Sequence, residues 1–145
     1  MNEKKRVTGI GGIFFKTKEP DKTKAWYSKH LGIATDNYGA GFKSRQWDKP
    51  QDSQYLQWSP MQEDTKYFTP SKMPYMINYR VDDIEWLVQE LRKEGVTICD
   101  EIESFDYGKF VHILDPEGNK IELWEPVDHV FDKYYNDSSD NSANH

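Results

Sequence analysis

The sequence predicts an α+β domain built from two similar halves. The tripeptide Trp58–Pro60 is matched later in the chain by Trp124–Pro126, which has the same Trp-x-Pro pattern. The pairs Gly32-Ile33 and Gly95-Val96, which can each end a helix, recur with a similar spacing. Each half therefore reads as a strand, a helix, and two or three further strands.

Length and composition limit the class of protein. A chain of 145 residues suits one domain or two fused half-domains. Hydrophobic residues make up 36% of the chain and aromatic residues 14%, so aromatic side chains must supply much of the buried surface. The net charge of -6 without a basic stripe argues against nucleic acid as a partner. No apolar run approaches the about 20 residues that span a bilayer, so no membrane partner is expected. The single cysteine, Cys99, excludes an intramolecular disulfide and fits a cytoplasmic location, and the first residues lack a secretory signal.

The first half begins with a strand that places Phe14 on the face opposite the helices. A helix follows over residues 20–32, because proline suits the first helical turn and glycine suits the end. Trp26 and Leu31 are expected to form its buried apolar side.

The second half begins with a strand at Tyr75–Val81. Its alternation sends Ile77 and Tyr79 toward the helices and Asn78 and Arg80 toward the other face. A polar side chain that faces a cleft needs a partner, whereas a charged group at the end of a strand can be solvated. For Arg80 both interpretations stay open.

The next helix has a clear start and a clear apolar face. Asp82 or Asp83 can cap its first turn, with Glu85 completing a capping box in the first case. The apolar positions recur at helical spacing and consist of Ile84, Leu87, Val88 and Leu91.

The chain then forms a predicted hairpin around Asp115–Asn119, a loop rich in residues that favour turns. If Leu114 pairs with Lys120, His112 lies directly opposite Glu122 on one face of the sheet. A slip of one residue would place the two side chains on opposite faces. The hairpin is therefore the candidate location of a site.

The loop Asp-Pro-Glu-Gly-Asn and the strand Ile-Glu-Leu after it resemble the signature of the vicinal-oxygen-chelate superfamily, which includes glyoxalases, bleomycin-resistance proteins and extradiol dioxygenases. The resemblance covers roughly residues 7–126. It implies two βαβββ modules, at about 7–60 and 74–126 with a linker at 61–73, that form a curved mixed sheet around a shared cleft. Residues 1–126 would then be a single glyoxalase-like domain, followed by a tail at 127–145 with a short helix and then disorder.

The resemblance also raises the question of a metal cofactor. Metal-dependent members use up to four ligands, from the first and last strands of each module, and Glu122 matches one of these positions. The equivalent position of the first module is Leu56, or Gln57 if the register shifts by one, and the first-strand positions fall near Gly12 and Met76. The usual ligand set is therefore incomplete, with Glu122 as a single tentative ligand. A divalent metal ion stays an open alternative as cofactor, bound at a non-standard site of His112 and Glu122, with or without Gln57.

Glu122 and His112 are also candidate catalytic residues without a metal, because a glutamate beside a histidine can orient and charge the imidazole for proton transfer. The alternative is a structural ion pair across the hairpin. The linker carries Tyr67 and Phe68, which are candidates for a lid over the cleft. The candidate substrate-binding residues are Phe14, Trp47, Trp58, Asn78, Arg80 and Trp124.

Three functions are compatible with these residues. One is a lyase-, isomerase- or dioxygenase-like enzyme of the superfamily, acting on a small organic molecule. Another is a binding protein that sequesters a small aromatic or hydrophobic compound, and the third is an interaction domain that has lost the site. The resemblance further implies a homodimer.

Overall fold

The computed structural model describes residues 6–143, with side chains described as far as Tyr135. In chain order the elements are β1 (Val7–Thr17), α1 (Pro20–Leu31), β2 (Ala40–Arg45), β3 (Ser53–Gln62), β4 (Tyr75–Val81), α2 (Ile84–Lys93), β5 (Glu103–Phe105), β6 (Gly108–Leu114), β7 (Lys120–Pro126) and α3 (Asp128–Ala143).

The seven strands form one mixed sheet in the order β2-β3-β1-β4-β7-β6-β5. Strands β1 and β3 run parallel, as do β4 and β7, while β1 and β4 pair antiparallel and join the two modules at the centre. The sheet is curved and open. The α+β fold class and the mixed curved sheet predicted from the sequence are therefore confirmed.

The first module differs from the expected βαβββ pattern because it contributes three strands, β1 to β3. In the described structure, residues 32–39 between α1 and β2 form no strand. The carboxylate of Asp36 accepts hydrogen bonds from the backbone N–H groups of Tyr38 at 2.7 Å and Gly39 at 3.0 Å. This turn uses backbone groups that a further strand would need for pairing.

The hairpin register is the one that brings the candidate residues together. Leu114 pairs with Lys120, and His112 therefore lies directly opposite Glu122 on adjacent strands β6 and β7. The conditional prediction made from the loop sequence is confirmed. Both side chains emerge on the same face of the sheet.

The register also settles which residues of the two modules are equivalent. Gly12 pairs with both Gln57 and Asn78, and Asn78 pairs with Glu122. Gln57 is thus the counterpart of Glu122, as the shifted register predicted, and Leu56 is not. The first-strand position of the second module is Asn78, so its assignment to Met76 was wrong.

The main hydrophobic core lies between α2 and the second module of the sheet. Asp83 caps α2 by accepting a hydrogen bond from the backbone N–H of Trp86 at 3.1 Å. The buried core residues are Val81, Ile84, Leu87, Val88, Val111 and Leu123.

Helix α1 packs differently from the prediction. Trp26 and Leu31 are 54% and 61% exposed, so their assignment to the core was wrong. Tyr27 instead faces the sheet and contacts the rings of Phe15 and Trp58, with ring centroids 6.4 Å and 4.9 Å away.

Helix α3 begins at Asp128 and lies against the concave face of the sheet, where Tyr135 stacks on Tyr55 of β3. The predicted short helix is part of it. Disorder is predicted from Asn136 onward, whereas the backbone of α3 continues to Ala143. The side chains beyond Tyr135 and the whole of residues 144–145 lie outside the described residues. Within the part of the chain that is described, no helix has the length and apolar character needed to cross a membrane.

We expect Leu123→Ala to lower the free energy of unfolding by about 2–5 kcal/mol, because it leaves a cavity in the core below α2. Leu31→Ala is the matched control, since Leu31 is 61% exposed and its replacement should change stability by less than about 0.5 kcal/mol. Urea unfolding followed by circular dichroism measures both. Equal effects of the two substitutions would contradict the assignment of the core.

Candidate functional site

A large cleft lies on the concave face of the sheet, between β1, the linker before β4, the second module and α3. Its volume is about 1180 Å³. Aromatic rings dominate the lining and include Phe14, Tyr67, Phe105, Tyr107, Phe110, Trp124, Phe131, Tyr134 and Tyr135. The floor of the cleft carries a small polar cluster formed by Asn78, His112 and Glu122.

Glu122 is the centre of this cluster and is only 2% exposed. Nδ2 of Asn78 donates a hydrogen bond to Oε1 of Glu122 at 2.6 Å. The hydroxyl of Tyr67 donates to Oε2, and Nε2 of His112 lies 2.8 Å from the same oxygen. A buried carboxylate without such partners would carry a large desolvation cost, so these contacts account for its position.

His112 lies between two carboxylates. Its Nε2 faces Glu122, and its Nδ1 lies 2.6 Å from Oδ2 of Asp100. The other carboxylate oxygen of Asp100 accepts a hydrogen bond from the backbone N–H of His112 at 2.8 Å, which fixes the geometry of the pair. Burial by itself lowers the pKa of His112, but the hydrogen bonds and negative charges of Glu122 and Asp100 raise it above its usual value. The raised pKa favours the charged imidazole, in which Nε2 would donate to Glu122 and Nδ1 to Asp100.

Tyr67 reaches the cluster from the linker between the modules. Its hydroxyl lies 3.2 Å from Nε2 of His112 as well as bonding Glu122. Burial and the neighbouring charge of Glu122 raise the pKa of the Tyr67 phenol above its usual range. The phenol therefore stays protonated and acts as a donor.

Arg80 and Trp124 form a second group beside the cluster. Arg80 is 4% exposed, and its guanidinium makes a two-pronged ion pair with Asp128, with distances of 3.0 Å and 2.5 Å. It also lies over the ring of Trp124, 5.5 Å from the centroid. A side chain on Gly11 would approach Trp124 to 2.8 Å, so glycine is required there. The interpretation of Arg80 as a solvated strand end is therefore wrong, and the residue anchors α3.

Three of the six predicted substrate-binding residues, Trp47, Trp58 and Arg80, are not among the residues that line the cleft. Trp47 lies on the loop after β2 and is 94% exposed. Trp58 packs toward α1, where its ring contacts Phe15 and Tyr27. The Trp-x-Pro repeat misplaced Trp58 because the two modules align one residue away from that repeat, and a shift of one residue reverses the face. Phe14, Asn78 and Trp124 do line the cleft.

Two hydrogen-bond partners of the polar cluster, Tyr67 and Asp100, were not assigned to it from the sequence. Tyr67 was expected only as part of a lid, together with Phe68, which is instead fully buried. Asp100 was missed altogether. It precedes β5, and an isolated bridge between Ile98 and Ile113 carries it to the edge of β6. A carboxylate that follows an unrecognised edge strand gives little signal in the sequence alone.

The residues at the four expected metal-ligand positions do not fit a divalent ion. They are Gly12, Gln57, Asn78 and Glu122, of which only Glu122 is anionic. Both oxygens of Glu122 already accept hydrogen bonds from protein donors. Within residues 6–143, no group of three or more histidine, cysteine, aspartate or glutamate side chains is arranged to hold an ion.

The chain belongs to the Glyoxalase/Bleomycin resistance protein/Dioxygenase superfamily, whose sequence model matches residues 9–123. No curated protein matched the chain in a sequence comparison.

Several solved structures share the fold. A variant of methylmalonyl-CoA epimerase from Streptomyces coelicolor, in complex with 2-nitronate-propionyl-CoA, aligns with a TM-score of 0.60 and 19% identity, over 83% of this chain and 99% of that one. Methylmalonyl-CoA epimerase from Mycobacterium tuberculosis aligns with a TM-score of 0.58 and 19% identity, over 90% of this chain and 95% of that one. The Mn(II)-bound glyoxalase from Novosphingobium aromaticivorans aligns with a TM-score of 0.56 and 19% identity, over 85% of this chain and 40% of that one. At these identities the likeness establishes the fold alone.

The raised pKa of His112 predicts how stability depends on pH. Because the folded pKa lies above the usual 6.5, the stabilisation from the charged imidazole is fully present below pH 6.5 and is lost as the pH rises through the folded pKa. The free energy of unfolding should therefore differ most between the native protein and His112→Gln at low pH, and the difference should shrink on the alkaline side. Urea unfolding at a series of pH values measures it, with exposed His129→Gln as control. A difference that grows with pH would contradict the charged imidazole.

Proposed function

We propose that the protein is an enzyme of lyase or isomerase type that moves a proton on a small organic molecule bound in the cleft. The observation that supports this most directly is the contact between Glu122 and His112 on the floor of an aromatic cavity. An isomerisation needs one group that takes a proton from carbon and another that can return it, with no net change in protons.

Glu122 is proposed as the base. Its Oε1 accepts one hydrogen bond, from Asn78, and a carboxylate oxygen has capacity for another, so it can take a proton from a carbon next to a carbonyl group. His112 is proposed as the acid, since its imidazolium can give a proton back and recover it from Glu122 through the 2.8 Å contact. Asp100 holds the ring and stabilises its charge. Tyr67 donates its hydroxyl proton to Oε2 of Glu122 and holds that carboxylate in place.

The aromatic lining supports a substrate with a flat or apolar part. Phe14, Phe110 and Trp124 offer ring faces and edges to such a group, and the rings of Phe110 and Trp124 stack with centroids 5.7 Å apart. A divalent ion has no part in this proposal, because the donor set does not fit one.

A binding protein for a small aromatic compound is the second candidate function. Two observations favour it. The oxygens of Glu122 already accept hydrogen bonds from Tyr67 and Asn78, which leaves less of their accepting capacity for a substrate proton. The charged residues on the cleft wall are mainly acidic, with Asp21, Asp36 and Glu103 against Lys24, which would suit a ligand with a positive charge.

A cytoplasmic homodimer remains part of the proposal. The single cysteine supports the location. Exposed apolar side chains on β1 and α1, including Val7, Ile10 and Trp26, support a self-association surface. Light scattering of the purified protein tests it, and a monomer at micromolar concentration would remove the dimer from the proposal.

The test of proton transfer is deuterium exchange at carbon. Chelator-stripped protein is incubated in D₂O with a panel of aryl-substituted hydroxy ketones, and incorporation beside the carbonyl is followed by NMR. We expect exchange by the native protein, and a loss of at least about 100-fold in Glu122→Gln. Glu117→Gln, at an exposed glutamate of the β6–β7 loop, is the matched control.

An unchanged rate in Glu122→Gln would contradict the proposed base, and exchange that depends on added nickel, zinc or manganese would contradict the metal-free site. Micromolar binding of panel compounds without exchange would favour the binding protein over the enzyme.

A further inference from the structure

The half of the concave face that belongs to the first module is occupied by the chain itself. Helix α3 lies over β3 and places the ring of Tyr135 on that of Tyr55, with centroids 5.0 Å apart and an interplanar angle of 24°. The hydroxyl of Tyr135 donates to Oε1 of Gln57 at 2.9 Å. Gln57 is the counterpart of Glu122, so a phenol from α3 occupies the position in the first module that corresponds to the polar cluster of the second.

This position is shaped for an aromatic ring. A Cβ atom on Gly41 would lie 2.2 Å from Cζ of Tyr135, so only glycine leaves room for the ring. Phe131 closes another side, with its centroid 5.9 Å from that of Tyr135. Burial raises the pKa of the Tyr135 phenol, which keeps it protonated as the donor to Gln57.

Tyr135 satisfies only one end of the Gln57 side-chain amide. Nε2 of Gln57 is buried and has no hydrogen-bond partner among the described residues. A buried donor without a partner is costly, so a group that bonds both ends of the amide would be bound better than a simple phenol. An oxygen acceptor in the ortho position to a phenol hydroxyl has the spacing to do this, because the two oxygens then face Oε1 and Nε2 together.

Helix α3 is held at several points besides Tyr135: Asp132 accepts a hydrogen bond from the Tyr55 hydroxyl at 2.6 Å, and the Tyr134 hydroxyl donates to Asp36. The ion pair between Asp128 and buried Arg80 holds the first turn, with a further hydrogen bond from Gln46 to Asp128 at 3.2 Å. Tyr135 lies nearly two turns further along and reaches the sheet through its own side chain. These contacts can hold the helix on the sheet while the side chain of Tyr135 leaves Gln57.

We propose that Gln57, Tyr55 and Gly41 form a second binding subsite of the cleft, that it takes a phenol with an ortho hydrogen-bond acceptor, and that Tyr135 is its resident occupant, which such a ligand displaces. This subsite makes the proposed function more specific, and it rests on that proposal, in which a small aromatic molecule binds in the cleft. It makes α3 a part of the ligand site and Gln57 a residue that determines specificity.

The test compares 2-methoxyphenol with 4-methoxyphenol, isomers that differ only in where the acceptor lies. In full-length Tyr135→Ala, we expect calorimetry to show 2-methoxyphenol binding about tenfold more tightly than to the native protein, and about tenfold more tightly than the para isomer. Tyr75→Ala, which removes an exposed tyrosine of β4, should behave as the native protein. Adding Gln57→Leu to Tyr135→Ala should remove the preference for the ortho isomer.

The native protein provides a measurement that does not depend on how well a variant folds. Saturating 2-methoxyphenol should speed hydrogen exchange of the backbone amides at residues 131–135, and 4-methoxyphenol should not. Equal binding of the two isomers, or α3 amides that do not respond to the ortho isomer, would overturn the subsite.

The subsite and the proposed proton transfer can fail separately. Glu122→Gln should leave the ortho preference of Tyr135→Ala intact, because Glu122 lies in the other module. Retained preference without deuterium exchange refutes the proton transfer alone, and exchange without any ortho preference refutes the subsite alone.

Discussion

A carboxylate buried to 2% exposure on a sheet surface needs hydrogen-bond donors, and Glu122 obtains them from three separate elements. Asn78 comes from β4, His112 from β6, and Tyr67 from the linker between the modules. The carboxylate of Glu122 has all of these hydrogen-bond partners only if β7 is in register with both neighbouring strands. The linker must also follow its observed path, and the ring of His112 must be correctly oriented. Glu122 thus connects the assembly of the second module to the chemistry of the cleft.

The electrostatics of the cluster follow from the same constraint. Two carboxylates flank His112, and their attraction outweighs the burial that would otherwise lower its pKa. Asp100, His112 and Glu122 form a row in which the imidazole lies between two carboxyl groups. A row of this kind can relay a proton, and it also suits the recognition of a donor group on a ligand. The aromatic lining and α3 surround this row.

The sequence predicted the fold and the centre of the site because both depend on local patterns. The loop at 115–119 set the hairpin register, and the register set the pairing of His112 with Glu122. The sequence did not predict Asp100, because its contact with His112 depends on an isolated bridge. It also did not predict where α3 packs, because the helix contacts residues about 80 positions earlier in the chain, as in the hydrogen bond from Tyr135 to Gln57. Trp58 was misplaced because a repeat of three residues aligned the modules one residue out of step. Such long-range placement follows from packing, which leaves no periodic signal.

We expect His112 to be a cation between Glu122 and Asp100, because these two carboxyl groups raise its pKa, and NMR of the ring nitrogens tests this most directly. In ¹⁵N-labelled protein at pH 7, both nitrogens of His112 should have the chemical shifts of protonated imidazolium nitrogens, and the corresponding signals should change in Glu122→Gln. A spectrum with one protonated and one unprotonated nitrogen, unchanged by that substitution, would show a neutral ring and contradict the account.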